Sequence, residues 1–296
     1  MDLQHLRVLA LAPNLIGFYD GRVAGQRFAA QANWVDDGAL SLGVCSFALI
    51  DGSEALVYDT HVSVDHAAAV RRELEGRGVR HIVVVLSHWH LDHVAGSAAF
   101  ADCEIVATRL TRDRLVAERA AIEAGTSADG PPAVSPLVLP TRVLDDATRL
   151  RVGRLRVTAL PIDIHTADGL VLHLPDEGVL LAGDTVEDTV TYVSEPESLE
   201  THLRGLERLR GLRATSIYPN HGDPDVLSAG GYGEGLIRAT QRYTRDLLRA
   251  AHDPALAALD LRAFVADSLA ARWITYFAPY ELVHRANLEE VARASG

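Results

Sequence analysis

The sequence predicts an α/β protein in which two mixed β-sheets pack face to face with helices on the outside. Short apolar, β-branched runs bounded by turn residues alternate with stretches of helical spacing along most of the chain. That alternation is what layered strands and helices leave in a sequence. Of the 296 residues, 48% are hydrophobic, enough for a substantial core. A loose repetition of strand, histidine or aspartate at the strand end, then helix, runs through both halves.

The apolar stretch at 6–11 reads as a first strand. The runs at 42–50 and 55–58 flank Asp51-Gly52-Ser53, a hairpin signal. Residues 65–77 put Ala and Val on one face of a helix and Arg and Glu on the other. Ile82-Val83-Val84-Val85-Leu86 is β-branched and uncharged, as a buried strand requires. A short helix is expected at 96–100, a strand at 104–107 and an amphipathic helix at 111–124. Residues 125–136, rich in Gly, Pro, Ser and Ala, read as a loop. Strands recur at 152–160, 169–174 and 178–182, then a helix at 197–210 and a last strand at 216–218. Beyond residue 233 the pattern is helical, at 234–251, 261–270 and 279–294. The expected organisation is a sandwich domain over 1–228 with a helical C-terminal extension over 229–296 packed on it.

The strand at 82–86 leads into His88-Trp89-His90-Leu91-Asp92-His93, which places four side chains able to hold a metal within six residues. A loop leaving a strand end is aimed by the rigid sheet behind it. Imidazole and carboxylate suit zinc, and also iron or manganese. Three further segments join an apolar run to a turn signal: Ile164-His165-Thr166, Ala182-Gly183-Asp184-Thr185 and Pro219-Asn220-His221-Gly222. Taken singly, His165 reads equally as a core histidine, and Asp184 as a turn residue.

The order HxHxDH, then His, then Asp, then His resembles the metallo-β-lactamase superfamily, over about residues 43–222. The resemblance implies a four-layer αββα sandwich and two adjacent metal positions, most simply two zinc ions per chain. His88, His90 and His165 would hold the first, and Asp92, His93 and His221 the second. Asp184 would bridge them together with a water or hydroxide. Neutral imidazoles leave much of the cationic charge uncompensated, which would acidify that water. The resemblance also implies that Asp59, at a strand end, supports the ligand loop, as buried carboxylates orient metal-binding histidines. Extensions such as 229–296 often build the substrate pocket in the resembling hydrolases; a plain cap on a sheet is the alternative.

The function implied is a metal-dependent hydrolase of an ester, lactone, thioester or amide of a small molecule. Bridging hydroxide would attack the carbonyl, Asp184 would hold the metals, and Asp92 would pass a proton to the leaving group. The chain departs from two known branches. Glu187 stands where quorum-sensing lactonases have a tyrosine, and Val186-Glu187-Asp188 follows where glyoxalase II enzymes have an aromatic residue. His61 stands near a customary glycine, and either enters the pocket or faces solvent. Trp89 and Leu91 are expected to pack behind the loop, and the acidic stretch Glu187, Asp188, Glu195 and Glu197 to be a solvated loop. Alternatives are a mononuclear iron enzyme like the persulfide dioxygenases, using His88, His165 and Asp184, a β-lactam-hydrolysing enzyme, or a metal-binding sensor.

The formal net charge of -12 opposes a nucleic-acid partner, which would need a basic stripe. No apolar run reaches bilayer-spanning length, and no membrane partner is expected. The first residues carry Asp2 and lack a basic segment followed by a long apolar one. Cys45 and Cys103 lie beside apolar runs and are expected to be reduced and buried. A cytoplasmic protein is expected, with room for a homodimer. Trp273, Tyr276, Phe277 and Tyr280 form a dense aromatic group that reads as core, pocket wall or oligomer interface.

Overall fold

The computed structural model describes residues 2–296. Among these, twelve strands form two sheets. The first sheet runs in chain order: β1 (Arg7–Ala12), β2 (Leu15–Asp20), β3 (Val44–Asp51), β4 (Glu54–Tyr58), β5 (His81–Val85), β6 (Glu104–Thr108) and β7 (Arg142–Leu144). The second contains β8 (Thr148–Val152), β9 (Leu155–Pro161), β10 (Leu170–Leu174), β11 (Val179–Gly183) and β12 (Ser216–Pro219), ordered from β12 at one edge to β8 at the other. The helices are α1 (Val64–Gly76), α2 (Leu91–Val94), α3 (Arg109–Ala124), α4 (Leu199–Gly211), α5 (Pro224–Ser228), α6 (Gly235–Ala250), α7 (Pro254–Ala257), α8 (Leu261–Phe264), α9 (Ala266–Ala270) and α10 (Tyr280–Ser295). None is long and apolar enough to cross a membrane.

Strands β1 to β4 form an antiparallel meander, and β4, β5, β6 and β7 pair in parallel through helical crossovers. In the second sheet only β11 and β12 are parallel, joined through α4. The period-two alternation of a strand sorts the central side chains into two layers. Leu56, Tyr58, Val85 and Val106 point between the sheets. Val57, Val84 and Ile105 point outward under α1 and α3, where they meet Val70, Leu74, Leu115 and Ile122. Burial on both faces explains why β5 is apolar beyond its exposed first residue, His81. Helix α1 starts where the Ser63 hydroxyl accepts the His66 amide, and α3 where Thr108 accepts the Thr111 amide.

Some expectations need correction. The strand expected at 152–160 starts only at Leu155; Val152 ends β8, which was not expected and folds onto β9 through a turn at Gly153, whose φ of +55° suits it. The helix expected at 261–270 is broken at Val265 into α8 and α9. Strands β2 and β7 and a six-residue π-helical segment (Val35–Leu40) were not expected. Cys45 and Cys103 are both free thiols; Cys45 is buried, but Cys103 is only partly so.

The C-terminal helices fold back on the same apolar core that fills the space between the sheets. Tyr280 is fully buried, while Trp273, Tyr276 and Phe277 are half-buried against that core. Phe277 also lies under the Arg22 guanidinium, 4.3 Å from the ring centre. Because Phe277 is not fully enclosed, Phe277→Ala is expected to cost less than the ~3–5 kcal/mol of a fully buried phenylalanine. Urea unfolding measures this directly; a loss at or above that range would mean that the ring anchors the whole C-terminal segment.

Candidate metal centre

Four strand ends deliver the side chains. Past β5, the Ser87 amide donates to Asp59 Oδ1 at 2.6 Å, which pins the start of the histidine loop to the end of β4. Here His88 Nε2 lies 2.9 Å from His90 Nδ1, and His165 Nε2 lies 3.0 Å from that same atom. His165 follows β9 in the left-handed region, with φ of +68°. Its Nδ1 faces the Tyr192 carbonyl at 2.9 Å, so that nitrogen carries the proton and Nε2 presents a lone pair. Asp184 follows β11, and His221 follows β12.

The second cluster is built from Asp92, His93, Asp184 and His221. His93 Nδ1 meets Asp59 Oδ2 at 2.9 Å, and its Nε2 lies 3.0 Å from Asp184 Oδ2. His221 Nδ1 donates to the Gly43 carbonyl at 2.7 Å, and its Nε2 lies 3.0 Å from Asp92 Oδ2. Asp184 Oδ2 stands between the clusters. It is 3.0 Å from His93, 3.4 Å from His221, 3.7 Å from His88 and 3.9 Å from His165, measured to each Nε2. Its other oxygen, Oδ1, is buried with no partner in the protein.

This donor set fits divalent cations. Burial, then neighbouring imidazoles, push His88 well below the usual histidine range and His90 down to about 3, so the first cluster is a set of neutral nitrogens facing one another. In the second, burial opposes protonation of His93 and His221, but the Asp184 and Asp92 carboxylates override it and raise both well above the ordinary value. Burial opposes ionisation of Asp92, yet His93 and His221 hold it at about 2. Protons thus supply the positive charge that a cation would supply, and the orphaned Asp184 oxygen has no other counterpart. The side chains expected from the sequence, His88, His90, Asp92, His93, His165, Asp184 and His221, fall into two groups able to hold a metal.

Above the two groups opens a cavity of about 310 Å³. His90, Asp92, His165, Asp184, Glu187 and His221 form its floor, and Trp34, Leu42, Leu91, Tyr192, Leu282 and Val283 line its walls. Leu91 therefore reaches the cavity as well as the core, contrary to expectation, because the first residue of α2 turns inward. Trp89 packs in the outer core under Arg114. His61 neither enters the cavity nor faces solvent. It is fully buried and stacked on His66 at 4.4 Å, and His66 in turn pairs with the buried Asp20 at 2.9 Å. The aromatic group of the C-terminus is not in the cavity wall; the aliphatic side of α10 is. Sequence reasoning missed Trp34, Leu42, Tyr192 and these α10 residues, which carry no local signal of a shared wall.

The acidic stretch is not a solvated loop at its start. Glu187 and Asp188 are buried, and Asp188 accepts hydrogen bonds from the Thr275 amide at 2.8 Å and the Tyr232 hydroxyl at 2.7 Å. Burial, then the charge of Asp184, push Glu187 up to about 8, while the Tyr192 amide and the Tyr280 hydroxyl donate to its oxygens at 3.0 and 3.1 Å. An unfolded glutamate ionises near 4.5. Between those values the folded chain keeps a proton that the unfolded chain has lost, so this group's contribution to stability falls as pH rises. Glu187→Gln cannot ionise, and in metal-free protein its melting temperature is expected to gain on wild type from about pH 5 to about pH 8. Parallel melting profiles across that window would show that Glu187 ionises normally.

The family model described as the metallo-beta-lactamase superfamily matches residues 40–221, more than half of the chain. A beta-lactamase-like protein 2 homolog of Caenorhabditis elegans is 25% identical over 187 residues, covering 61% of this chain and 56% of that protein. The thioesterase pkgB of Emericella nidulans is 26% identical over 189 residues, covering 63% and 48%. The chain spans about half the length of these curated relatives. Among solved structures, a metallo-beta-lactamase from Pontibacter korlensis superposes with a TM-score of 0.57 at 17% identity, covering 79% of this chain and 99% of that one. At that identity the likeness concerns the fold alone.

Proposed function

The chain belongs to the metallo-β-lactamase superfamily, and from that premise we propose that it is a dinuclear, zinc-dependent hydrolase of an ester, lactone, thioester or amide with an apolar acyl group. The observation that carries this reading is the position of Asp184 Oδ2, within 4 Å of imidazole nitrogens from both clusters at the floor of a cavity. His88, His90 and His165 would hold one ion, and Asp92, His93 and His221 the other, with Asp184 shared. When bound, such a pair acidifies water and polarises a carbonyl oxygen.

The remaining work falls to the chain's own groups. Trp34, Leu42, Leu91, Leu282 and Val283 bind the acyl portion and exclude bulk water. Asp37 and Asp129 on the same cavity disfavour an anionic substrate. Asp92, with 15% of its side chain exposed, is the carboxylate placed to carry a proton to the leaving group. The Tyr192 and Gly43 carbonyls and the Asp59 carboxylate fix the rings of His165, His221 and His93, so the reacting face is organised before substrate arrives. The name of the Emericella nidulans relative favours including thioesters among the bonds tried.

The test is elemental analysis of protein purified without added metal, together with turnover of acyl-graded esters, lactones, thioesters, amides and β-lactams. Two zinc ions per chain and hydrolysis that improves with apolar acyl length are expected. One iron with oxygen consumption would move the assignment to an iron dioxygenase, and metal without turnover to a binding protein.

A further inference from the structure

A third group of metal-ligating side chains lies outside the cavity. Asp163 stands two residues before His165, Glu195 just ahead of the short 3-10 turn Pro196–Ser198, and His202 on α4. One donor atom from each lies within 4.8 Å of the others. His202 is 4% exposed, and its Nε2 has no hydrogen-bond partner in the protein. Asp163 Oδ1 is likewise buried and unpartnered, although it sits only 3.4 Å from that nitrogen. The two atoms stand at ion-pair distance, yet neither makes a hydrogen bond. Leaving both buried and unbonded costs free energy that a shared cation would offset.

The helix is pressed into place for this. A Cβ at Gly205 would lie 3.0 Å from the Asp163 carbonyl and 2.6 Å from the Ile164 side chain. The glycine lets α4 approach the His165 segment, and His202, three residues earlier on the same face, comes to Asp163. Glu195 is tied to the other side of that segment, where its Oε1 accepts the Ala167 amide at 3.2 Å.

We propose that Asp163, Glu195 and His202 form a separate site for one divalent transition ion such as zinc, which clamps the His165 segment between α4 and the 193–198 loop. Two carboxylate oxygens and one imidazole nitrogen are ligands zinc accepts, with solvent at the outer face completing the coordination. The ion would supply the cation this group lacks and would stiffen the support of His165 without touching substrate.

The experiment is zinc titration of the full chain, read as ions per chain by native mass spectrometry. It is done for wild type and His202→Ala, and for both in a His90→Ala/Asp184→Asn background that disables the central groups. One fewer zinc is expected in His202→Ala in either background, with circular dichroism unchanged. Glu195→Gln, at a half-buried position, is measured alongside and should weaken the same ion; it decides the matter if His202→Ala does not fold. Equal zinc counts and affinities in wild type and the variants would overturn the proposal. Loss of central ions alone in the double-substituted background concerns the hydrolase reading and leaves this site standing.

Discussion

Asp184→Asn is expected to lower kcat/KM by on the order of a hundredfold or more, the scale of a lost charged group at a reacting centre, and to release metal. Asp184 Oδ2 is the atom both clusters approach, at 3.0 Å from His93 and 3.7 Å from His88. Asparagine keeps the shape but removes the negative charge that would offset two nearby cations. If its amide nitrogen takes the Oδ2 position, it presents hydrogens where the imidazoles and any bound cation need an acceptor. Metal counted by elemental analysis and kcat/KM on the best substrate of the panel should fall together. Retention of both at wild-type levels would remove Asp184 from the centre.

Asp59→Asn should be the most destabilising of the single changes considered, by about 3–5 kcal/mol, the range for removing one partner of a buried charge pair. Asp59 is fully buried and accepts from the Ser87 amide at 2.6 Å, from the Asn220 side chain at 2.7 Å, and meets His93 at 2.9 Å. Its backbone lies at φ of +66°, which Asn tolerates, so the variant tests the charge and not the turn. An amide group in its place turns one acceptor into a donor aimed at a donor. Metal affinity should weaken by about 10–100-fold as His93 loses its support. Urea unfolding and competitive zinc titration read the two effects. Unchanged stability would mean that the Asp59 network relaxes without cost.

The parts legible in the sequence are those whose signal is local. The run Ile82–Leu86 announces a buried strand because both of its faces are covered, and His88 to His93 sit at its end by adjacency alone. His165, Asp184 and His221 were attached to that loop by their order along the chain, through family resemblance; spacing does not say that four strand ends meet. Other features were hidden because distant segments decide them. Glu187 and Asp188 have the composition of a solvated loop, yet donors from Tyr280, Tyr232 and Thr275 draw them inside. His61 is held by stacking on His66, itself bound to Asp20 on β2, a strand that carries no expectation from the sequence. At 152–160, the turn Gly153-Arg154 separates Val152, the last residue of β8, from β9, and only the pairing of the two strands shows the break.

The cavity has a consequence for how this protein could change over evolutionary time. Its floor rests on strand ends knitted into the sandwich, whereas its walls, apart from Leu91 and Tyr192, come from the 34–42 connection and from one side of α10. Leu282 is 68% exposed, so replacing it disturbs little else. If the proposed hydrolase reading holds, substrate choice is separable by mutation from the chemistry beneath it. Under the proposed reading, a lineage carrying this floor could drift from one acyl group to another by altering a few side chains of the last helix, and laboratory selection should find its gains there first.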